Sequence, residues 1–155
     1  THLDLGENKM GDAGLESVCA VLPRLALLSH LDLHSNQIRP EGAAKLARAV
    51  AECKLLAHLN VAANWMGQEG ACVLFGVLPR CKALRRLNVG FNRVGDRGAA
   101  ALSQVLPRCR GLQHLDLGGN QIGDKGVKEL AKVLGRCREL AHVDLHANYI
   151  GDKGA

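Results

Sequence analysis

Histidine and aspartate recur along this chain at a fixed spacing. His30 is followed two residues later by Asp32, and both positions repeat at intervals of 28 residues. The first column contains His2, His30, His58, Arg86, His114 and His142, and the second contains Asp4, Asp32, Asn60, Asn88, Asp116 and Asp144. Imidazoles beside carboxylates can bind a metal ion or transfer protons, so these two columns raise both kinds of chemistry.

Distances argue against a metal centre within one repeat. His30 and His34 are four residues apart, so on a strand they are separated by about 13 Å, whereas a zinc–nitrogen bond is about 2 Å long. His30 and His58 on neighbouring strands would be about 5 Å apart, which leaves a bridged site open. The simpler interpretation is a ladder of histidines and aspartates joined by hydrogen bonds across strands. We therefore predict neither a metal nor a cofactor.

Nucleophilic catalysis has no support in the sequence. The serines at 17, 29, 35 and 103 lack a consistent arrangement with a histidine and a carboxylate. The phosphate-binding pattern G-x-x-x-x-G-K-[ST] is absent from the sequence, so these residues contain no nucleotide-binding loop of that type. The sequence therefore predicts a non-enzymatic protein.

An asparagine column organises the elements that must position these side chains. It consists of Asn8, Asn36, Asn64, Asn92, Asn120 and Asn148, each 28 residues from the next. Leu28, Leu31 and Leu33 precede Asn36, and apolar residues occupy the same positions before the later asparagines. Leucines alternating with polar residues predict short strands, and strands separated by a helix must run parallel. We predict a structural role for the asparagines, whose amides would bond to the turns above and below.

A helix is predicted between successive strands. Val127, Leu130, Ala131 and Leu134 follow the helical i, i+3, i+4, i+7 pattern, and the same pattern places Phe75 in the core. Prolines 23, 79 and 107 end three of the helices. Four aspartates occupy the expected N-cap position: Asp12, Asp96, Asp124 and Asp152. A glycine two residues after that position in every repeat predicts a close approach to a neighbouring backbone.

The pattern L-x-x-L-x-L-x-x-N at a fixed period resembles the leucine-rich repeat family over essentially the whole chain. The 28-residue period resembles the ribonuclease-inhibitor-like class, which includes the repeat regions of NOD-like receptors. The resemblance implies an α/β, right-handed solenoid (horseshoe) with a parallel sheet on the concave side and helices on the convex side. Residues 1–155 would form a single domain of about five and a half repeats. Because the sequence begins and ends within a repeat, we expect an uncapped fragment that could self-associate through its ends.

The cysteines indicate the redox environment in which the protein functions. Cys53, Cys81, Cys109 and Cys137 share one repeat position that Leu25 fills in the first repeat, so the position accepts an apolar side chain. We interpret them as buried free thiols, which suits a reducing, cytoplasmic environment. Disulfides between neighbouring repeats remain an alternative, whereas zinc is disfavoured because C-x-x-C is absent from the sequence. The sequence also lacks an apolar run long enough to predict a membrane span.

Positive charge collects where the helices end. One repeat position contains Arg24, Arg80, Arg108 and Arg136. The position two residues further along contains Lys54, Lys82, Arg110 and Arg138. Cations near helix C-termini are favourable by about 0.3–1 kcal/mol each, which is a sufficient structural reason for them. A basic stripe for nucleic acid or anionic lipid is the alternative. Aromatic residues do not interleave with these cations, so we expect any nucleic-acid binding to be weak.

Residues that vary between repeats indicate the binding site. Trp65, Phe91 and Arg93 flank the asparagine column on adjacent repeats, and tryptophan and arginine are enriched in binding hot spots. We predict that a protein partner binds the concave face through these residues and through a polar surround. The surround consists of His30, Asp32, His58, Asn60, Asn88, His114 and Asp116. Alternatively, Trp65 only covers a neighbouring turn. The NOD-like receptor resemblance implies another function, a ligand- or nucleic-acid-sensing, autoinhibitory region of an innate immune receptor.

Overall fold

The structure, a computed structural model, describes residues 1–154 as strands and helices in alternation. The strands are β1 (His2–Asp4), β2 (His30–Asp32), β3 (His58–Asn60), β4 (Arg86–Asn88), β5 (His114–Asp116) and β6 (His142–Asp144). The α-helices are α1 (Gly11–Val21), α2 (Pro40–Val50), α3 (Gly67–Val77), α4 (Gly95–Val105) and α5 (Asp124–Leu134). The prolines predicted to end α1, α3 and α4 lie in 3-10 turns at Leu22–Arg24, Leu78–Arg80 and Leu106–Arg108.

All six strands form one parallel sheet in sequence order. Each residue pairs with the one 28 positions later, as His30 does with His58. Leu31 is buried, while His30 and Asp32 on either side of it are partly exposed. The leucine face therefore packs on the helices and the polar face is open to solvent. This arrangement confirms the predicted α/β solenoid.

The core lies between the sheet and the helices. Phe75 on α3 is fully buried, as the helical pattern predicted, and Leu74 beside it is equally buried. At the last described helix the same face is only half covered, and Ala131 is exposed. Each repeat therefore depends on the next for burial, as in other solenoids. Within residues 1–154, no helix is long and apolar enough to cross a membrane.

Buried asparagine side chains join each repeat to the one before it. The Asn64 carbonyl oxygen accepts the backbone N–H groups of Asn36 and Ile38 at 3.0 and 2.9 Å. Its amide nitrogen donates to the backbone carbonyls of Leu33 and Val61 at 2.9 and 3.0 Å. The side chain thus satisfies backbone groups that the turns of two consecutive repeats leave unpaired.

The predicted N-cap role is wrong for Asp12, Asp96 and Asp124, because none of these three caps its own helix. Asp96 lies inside the first turn of α4, and its carboxylate reaches forward to the next repeat. There it accepts the N–H groups of Gly123 and Gly126, at 2.7 and 2.9 Å, at the start of α5. Asp12 and Asp124 reach forward in the same way. Asp152 lies in the final described turn.

Helices begin in two ways as a result. Where the preceding repeat supplies an aspartate, the residue before the helix is extended, as in Arg39 with φ −96° and ψ −179°. Gly123 is extended in the same manner before α5. Three helices without such an aspartate begin instead with a glycine in the left-handed region, with φ of 61°, 62° and 61° at Gly11, Gly67 and Gly95. Only glycine adopts that conformation at little cost.

The recurrent first-turn glycine is confined mainly by side chains, not by the backbone that the sequence predicted. A Cβ on Gly126 would lie 2.6 Å from Asp96 Oδ1 and 3.0 Å from the Cβ of Ala99 on the preceding helix. A Cβ on Gly98 would collide with the Val94 side chain. The forward-reaching carboxylate and the tight helix packing together explain why glycine recurs here.

Candidate protein-binding face

An open trough of about 450 Å³ crosses all six strands on the face of the sheet that is opposite the helices. Both predicted columns line it with the exception of Asp144, so the sheet brings together all seven residues of the predicted polar surround. These are His30, Asp32, His58, Asn60, Asn88, His114 and Asp116. Each buried leucine between the two columns points into the core. Polar side chains from the columns therefore line the trough, and backbone atoms form its base.

Histidine rings lie close together along the first column, stacked between His2 and His30 and tilted by 57° between His30 and His58. The His2 and His30 ring centroids are 3.7 Å apart with an interplanar angle of 22°, and those of His30 and His58 are 4.0 Å apart. Burial, followed by the neighbouring histidines and Arg86, lowers the pKa of His58, and burial and His2 lower that of His30. Both shifts favour the uncharged form of the imidazole.

The second column caps its own turns. Asp32 Oδ1 accepts the N–H of His34 at 2.9 Å, and Asp116 Oδ1 accepts the N–H of Gly118 at 2.8 Å. Within residues 1–154 no hydrogen bond joins this column to a histidine of the first column, so the ladder predicted across strands is not found. His30 Nδ1 lies instead 2.9 Å from Ser29 Oγ.

Two further histidines flank the trough, and neither was among the residues predicted for the binding face. His34 Nδ1 lies 2.7 Å from Asp32 Oδ1, and the ring covers Gly6 on the preceding repeat. That hydrogen bond raises the pKa of His34. His146 pairs with Asp144 in the same way at 2.9 Å and covers Gly118. Each of these two histidines could have been predicted from the glycine at the equivalent position one repeat earlier, since a side chain on that glycine would occupy the space of the histidine ring.

The Asp32 carboxylate titrates below its usual range. Burial is the largest single influence and would raise its pKa, but hydrogen bonds from His34 and Asn60 outweigh it. The Asn60 bond, from Nδ2 to Asp32 Oδ2 at 2.9 Å, crosses between neighbouring strands. Asp32 is therefore a fixed negative charge at one end of the trough at neutral pH.

Potential metal ligands meet in two groups, each of which combines two aspartates of the second column with a histidine two residues after that column. Ligand atoms of Asp4, Asp32 and His34 lie within 4.8 Å of one another, as do those of Asp116, Asp144 and His146. The sequence pointed instead to a pair such as His30 and His58. Two hydrogen bonds already account for the first arrangement, because the Asp32 carboxylate is bonded both to the backbone N–H and to the ring of His34.

The three predicted anchors lie on the loops that follow the strands, beside the trough and not in its lining. Trp65 is 46% exposed, and the Arg39 guanidinium lies 5.7 Å from the centre of its ring. Phe91 is 55% exposed, covers Gly119, and has its ring centroid 5.8 Å from that of His146. Trp65 thus contacts the preceding repeat, as the turn-covering alternative requires, yet half of its surface remains free.

Phe91 has a left-handed backbone, with φ 55°, which recurs directly before the asparagine in every repeat. The equivalent φ values lie between 51° and 59° at Glu7, Ser35, Ala63 and Ala147, and φ is 64° at Gly119. Non-glycine residues adopt this region at a cost of roughly 1–2 kcal/mol. The conformation therefore belongs to the turn of each repeat and does not distinguish Phe91, whose side chain is exposed.

Comparison with known proteins identifies the repeat. The family profile described as Leucine Rich repeat matches residues 1–19, 25–47, 80–103 and 108–131, more than half of the chain. This chain belongs to the leucine-rich repeat family. Domains of this family generally mediate protein–protein interactions. No curated protein matches the sequence.

Solved structures share the leucine-rich repeat fold. The tropomodulin C-terminal domain of Caenorhabditis elegans superposes with a TM-score of 0.74 at 13% identity, covering 90% of this chain and 84% of the other. An internalin of Listeria monocytogenes gives a TM-score of 0.50 at 22% identity, covering 85% of this chain and 39% of the internalin. At these identities the likeness concerns the fold alone.

The cations of this leucine-rich repeat domain are not equivalent. Glu52 neutralises two of them, with its carboxylate 2.6 Å from the Arg80 guanidinium and 3.3 Å from Lys54 Nζ. Within residues 1–154, four arginines of the last two repeats have no carboxylate within salt-bridge distance: Arg108, Arg110, Arg136 and Arg138. Arg24 and Lys82 of the predicted stripe also lack such a partner within residues 1–154, so unpaired cations run along the stripe and are most numerous at its C-terminal end.

The cysteines lie away from the trough. All six are free in the described part of the chain. Cys53 is buried as predicted, whereas Cys81, Cys109 and Cys137 are only partly buried. Burial raises the pKa of Cys109 to about 11, which keeps it a thiol at neutral pH. The Cys53 thiol donates to the carbonyl of Ala49 at 3.4 Å.

Proposed function

We propose that this domain is a non-enzymatic recognition module that binds a protein partner in the trough of its sheet. One observation carries the proposal: every strand contributes to one continuous trough of about 450 Å³ whose side chains stand in fixed register. Backbone pairing holds that register, so little conformational freedom remains to be lost when a partner binds. A rigid surface of this kind needs only a few good anchors.

Trp65, Phe91 and Arg93 are proposed as those anchors. Exposed aromatic side chains beside a polar trough match the composition of binding hot spots. The seven trough residues would form the polar surround.

Replacing Trp65 and Arg93 together by alanine should weaken partner binding by at least about 2 kcal/mol, the usual hot-spot threshold. Thermal stability should change little, since both side chains are exposed and only the Arg39 contact with Trp65 is lost. A partner would first be selected from a display library of small binding domains, and its affinity for both proteins measured by calorimetry. Replacing Lys125 and Lys128 on α5 by alanine is the control, and should leave affinity unchanged. Unchanged affinity of the Trp65 and Arg93 variant, with a large loss of stability, would assign these residues to packing.

A second candidate is polyanion binding at the C-terminal arginines, which their lack of carboxylate partners favours. We expect weak binding of single-stranded nucleic acid that falls steeply with salt, because counterion release drives such binding. Reversing Arg108 and Arg136 to glutamate should abolish it. Reversing Arg80 is the matched control with a smaller effect, because Glu52 already neutralises that side chain. Fluorescence anisotropy across a salt series measures both, and tight binding at high salt would contradict the electrostatic account.

We also propose that the domain belongs to the ribonuclease-inhibitor-like class and acts in the cytoplasm. The regular 28-residue period supports the class, and free thiols with raised pKa values support a reducing compartment. A role as the sensing, autoinhibitory region of a NOD-like innate immune receptor would follow from the same resemblance. Sequencing the coding region on both sides tests it, because that role requires a nucleotide-binding domain in the same protein.

A further inference from the structure

The loops that lead from each helix to the next strand lie along one edge of the solenoid, because the six parallel strands follow sequence order. We call this edge, formed by residues 22–29, 51–57, 78–85, 106–113 and 135–141, the basic edge. Leu27 and Leu55 occupy the same position in its first two loops and are 69% and 51% exposed. With Leu25, they are the only exposed leucines within residues 1–154. Apolar side chains left in water together mark an interaction surface.

The exposure of Leu55 does not arise from a missing neighbour. Its loop is joined to the loops on both sides: the Ala57 N–H donates to the Ser29 carbonyl at 2.9 Å, and the Arg85 N–H donates to the Ala57 carbonyl at 2.7 Å. Leu56, the next residue, is buried in the core. Leu55 therefore points away from an interior repeat into solvent.

The same loops hold the excess positive charge of the chain. Their cations are Arg24, Lys54, Arg80, Lys82, Arg85, Arg108, Arg110, Arg136 and Arg138. All except Arg85 are exposed. Their carboxylates are Glu52 and Glu139, so nine cations accompany two carboxylates. This excess of seven is larger than the net charge of the whole chain, +5, so the remaining surface is net negative.

A groove of about 540 Å³ opens between the last two loops of the basic edge. Its charged lining consists of Arg110, Arg136, Arg138 and Glu139. Within residues 1–154, none of the three arginines has a carboxylate within salt-bridge distance. Guanidinium groups bind phosphate through two parallel hydrogen bonds, so the groove offers donors to a phosphate headgroup.

We propose that the basic edge binds the surface of an anionic phospholipid bilayer. Leu25, Leu27 and Leu55 insert among the headgroups, while the cations pair with the negative groups of the lipids. Apolar area and cations contribute jointly to binding of this kind. Single-stranded nucleic acid would engage the cations but not the leucines, since bases stack on aromatic rings, and these loops contain no aromatic residue. The trough lies on another face of the domain, so a membrane and the proposed protein partner could bind together.

Vesicles of phosphatidylcholine with about 30% phosphatidylserine test the intact chain, since phosphatidylserine supplies the negative surface potential that attracts cations. Sedimentation of loaded vesicles measures the bound fraction. We expect binding at least about tenfold tighter than to vesicles of phosphatidylcholine alone, weakening as salt rises. Failure to bind the anionic vesicles, or equal binding to both kinds, would overturn the inference.

Serine variants separate insertion from general attraction. Leu27→Ser together with Leu55→Ser should weaken vesicle binding at least about fivefold, because the apolar area that enters the bilayer is lost. Val73→Ser on α3 is the matched control: Val73 is 45% exposed but lies on the helical face, so binding should change less than about twofold. If the double serine variant binds vesicles as tightly as the unaltered chain, the edge is a general polyanion surface and the inference fails.

Charge reversal tests the basic part of the edge. Arg110→Glu together with Arg138→Glu should weaken vesicle binding at least about tenfold. Lys125→Glu together with Lys128→Glu makes the same change in net charge on exposed positions of α5, and should weaken binding by a clearly smaller factor. Circular dichroism would verify that every variant is folded. Equal losses in the two charge variants would mean that binding follows net charge alone, which contradicts the proposed edge.

Tryptophan fluorescence reports the orientation on the bilayer. Trp65 is the only tryptophan and lies in the turn after β3, on the edge opposite Leu27. Brominated phosphatidylcholine in the vesicles should therefore leave its fluorescence unquenched. In a chain with Leu27→Trp and Trp65→Phe, the same lipid should quench the fluorescence, because the introduced indole would lie within the bilayer. Quenching of Trp65 without quenching at position 27 would place the other edge on the membrane and overturn the inference.

Discussion

Replacing Asn64 by alanine should lower the free energy of unfolding by about 3–5 kcal/mol. The substitution removes hydrogen bonds to two backbone N–H groups and to the carbonyls of Leu33, Val61 and Ala62, in a site that is 1% exposed. Each buried polar group left without a partner costs about 1–3 kcal/mol, less where water can reach it. Urea denaturation monitored by circular dichroism measures the loss.

Asn8→Ala is the matched control for Asn64→Ala. Asn8 is exposed and donates only to the nearby carbonyls of Leu5 and Gly6, so its loss should cost less than about 1 kcal/mol. Asn148 makes the same kinds of bond as Asn64 but is partly exposed, which places its expected cost between the two. If all three variants lose equally little, the asparagine column does not hold the turns together.

Replacing Phe75 by alanine should lower the free energy of unfolding by a similar amount, about 3–5 kcal/mol, the usual range for a buried phenylalanine. Phe75 is fully buried on α3, which packs against both α2 and α4, so the cavity would lie between repeats. Thermal and urea denaturation would report the loss. A loss below about 1 kcal/mol would mean that the neighbouring helices collapse into the space.

Phe91→Gly provides the contrast, because it also removes an aromatic side chain. Phe91 is exposed and has a left-handed backbone, so glycine should relieve strain and change stability by no more than about 1 kcal/mol in either direction. Partner affinity should nevertheless fall if Phe91 is an anchor. A large loss of stability in this variant would show that its contacts with Gly119 and His146 belong to the fold.

The architecture could be predicted from the sequence because burial imposes a period on it. Leu31 and its equivalents must face the core in every repeat, and Asn64 must satisfy the same turn each time, so the pattern recurs every 28 residues. The trough followed from the same period: once the leucines point inward, His30 and Asp32 must point outward. Both columns accordingly line the sheet face.

Contacts between unlike residues of neighbouring repeats could not be predicted in this way. Asp96 resembles an ordinary N-cap in the sequence, and only the packing of α4 against α5 turns it toward Gly123. His34 depends on the small residue Gly6 one repeat earlier, and no periodic signal records that pair. Trp65, Phe91 and Arg93 remain predictions as anchors, since their role depends on the shape of a partner.

The two kinds of helix start limit how this chain could have grown by duplication. Arg39 takes an extended conformation where Asp12 of the preceding repeat caps it, whereas Gly67, which follows a repeat with proline at the equivalent position, needs a left-handed backbone. A tandem copy of the repeat containing Arg39 would place a second arginine after that proline, in a conformation that costs a non-glycine residue about 1–2 kcal/mol. The repeats are similar in shape but cannot be exchanged freely, because the backbone at the start of each helix depends on which repeat precedes it.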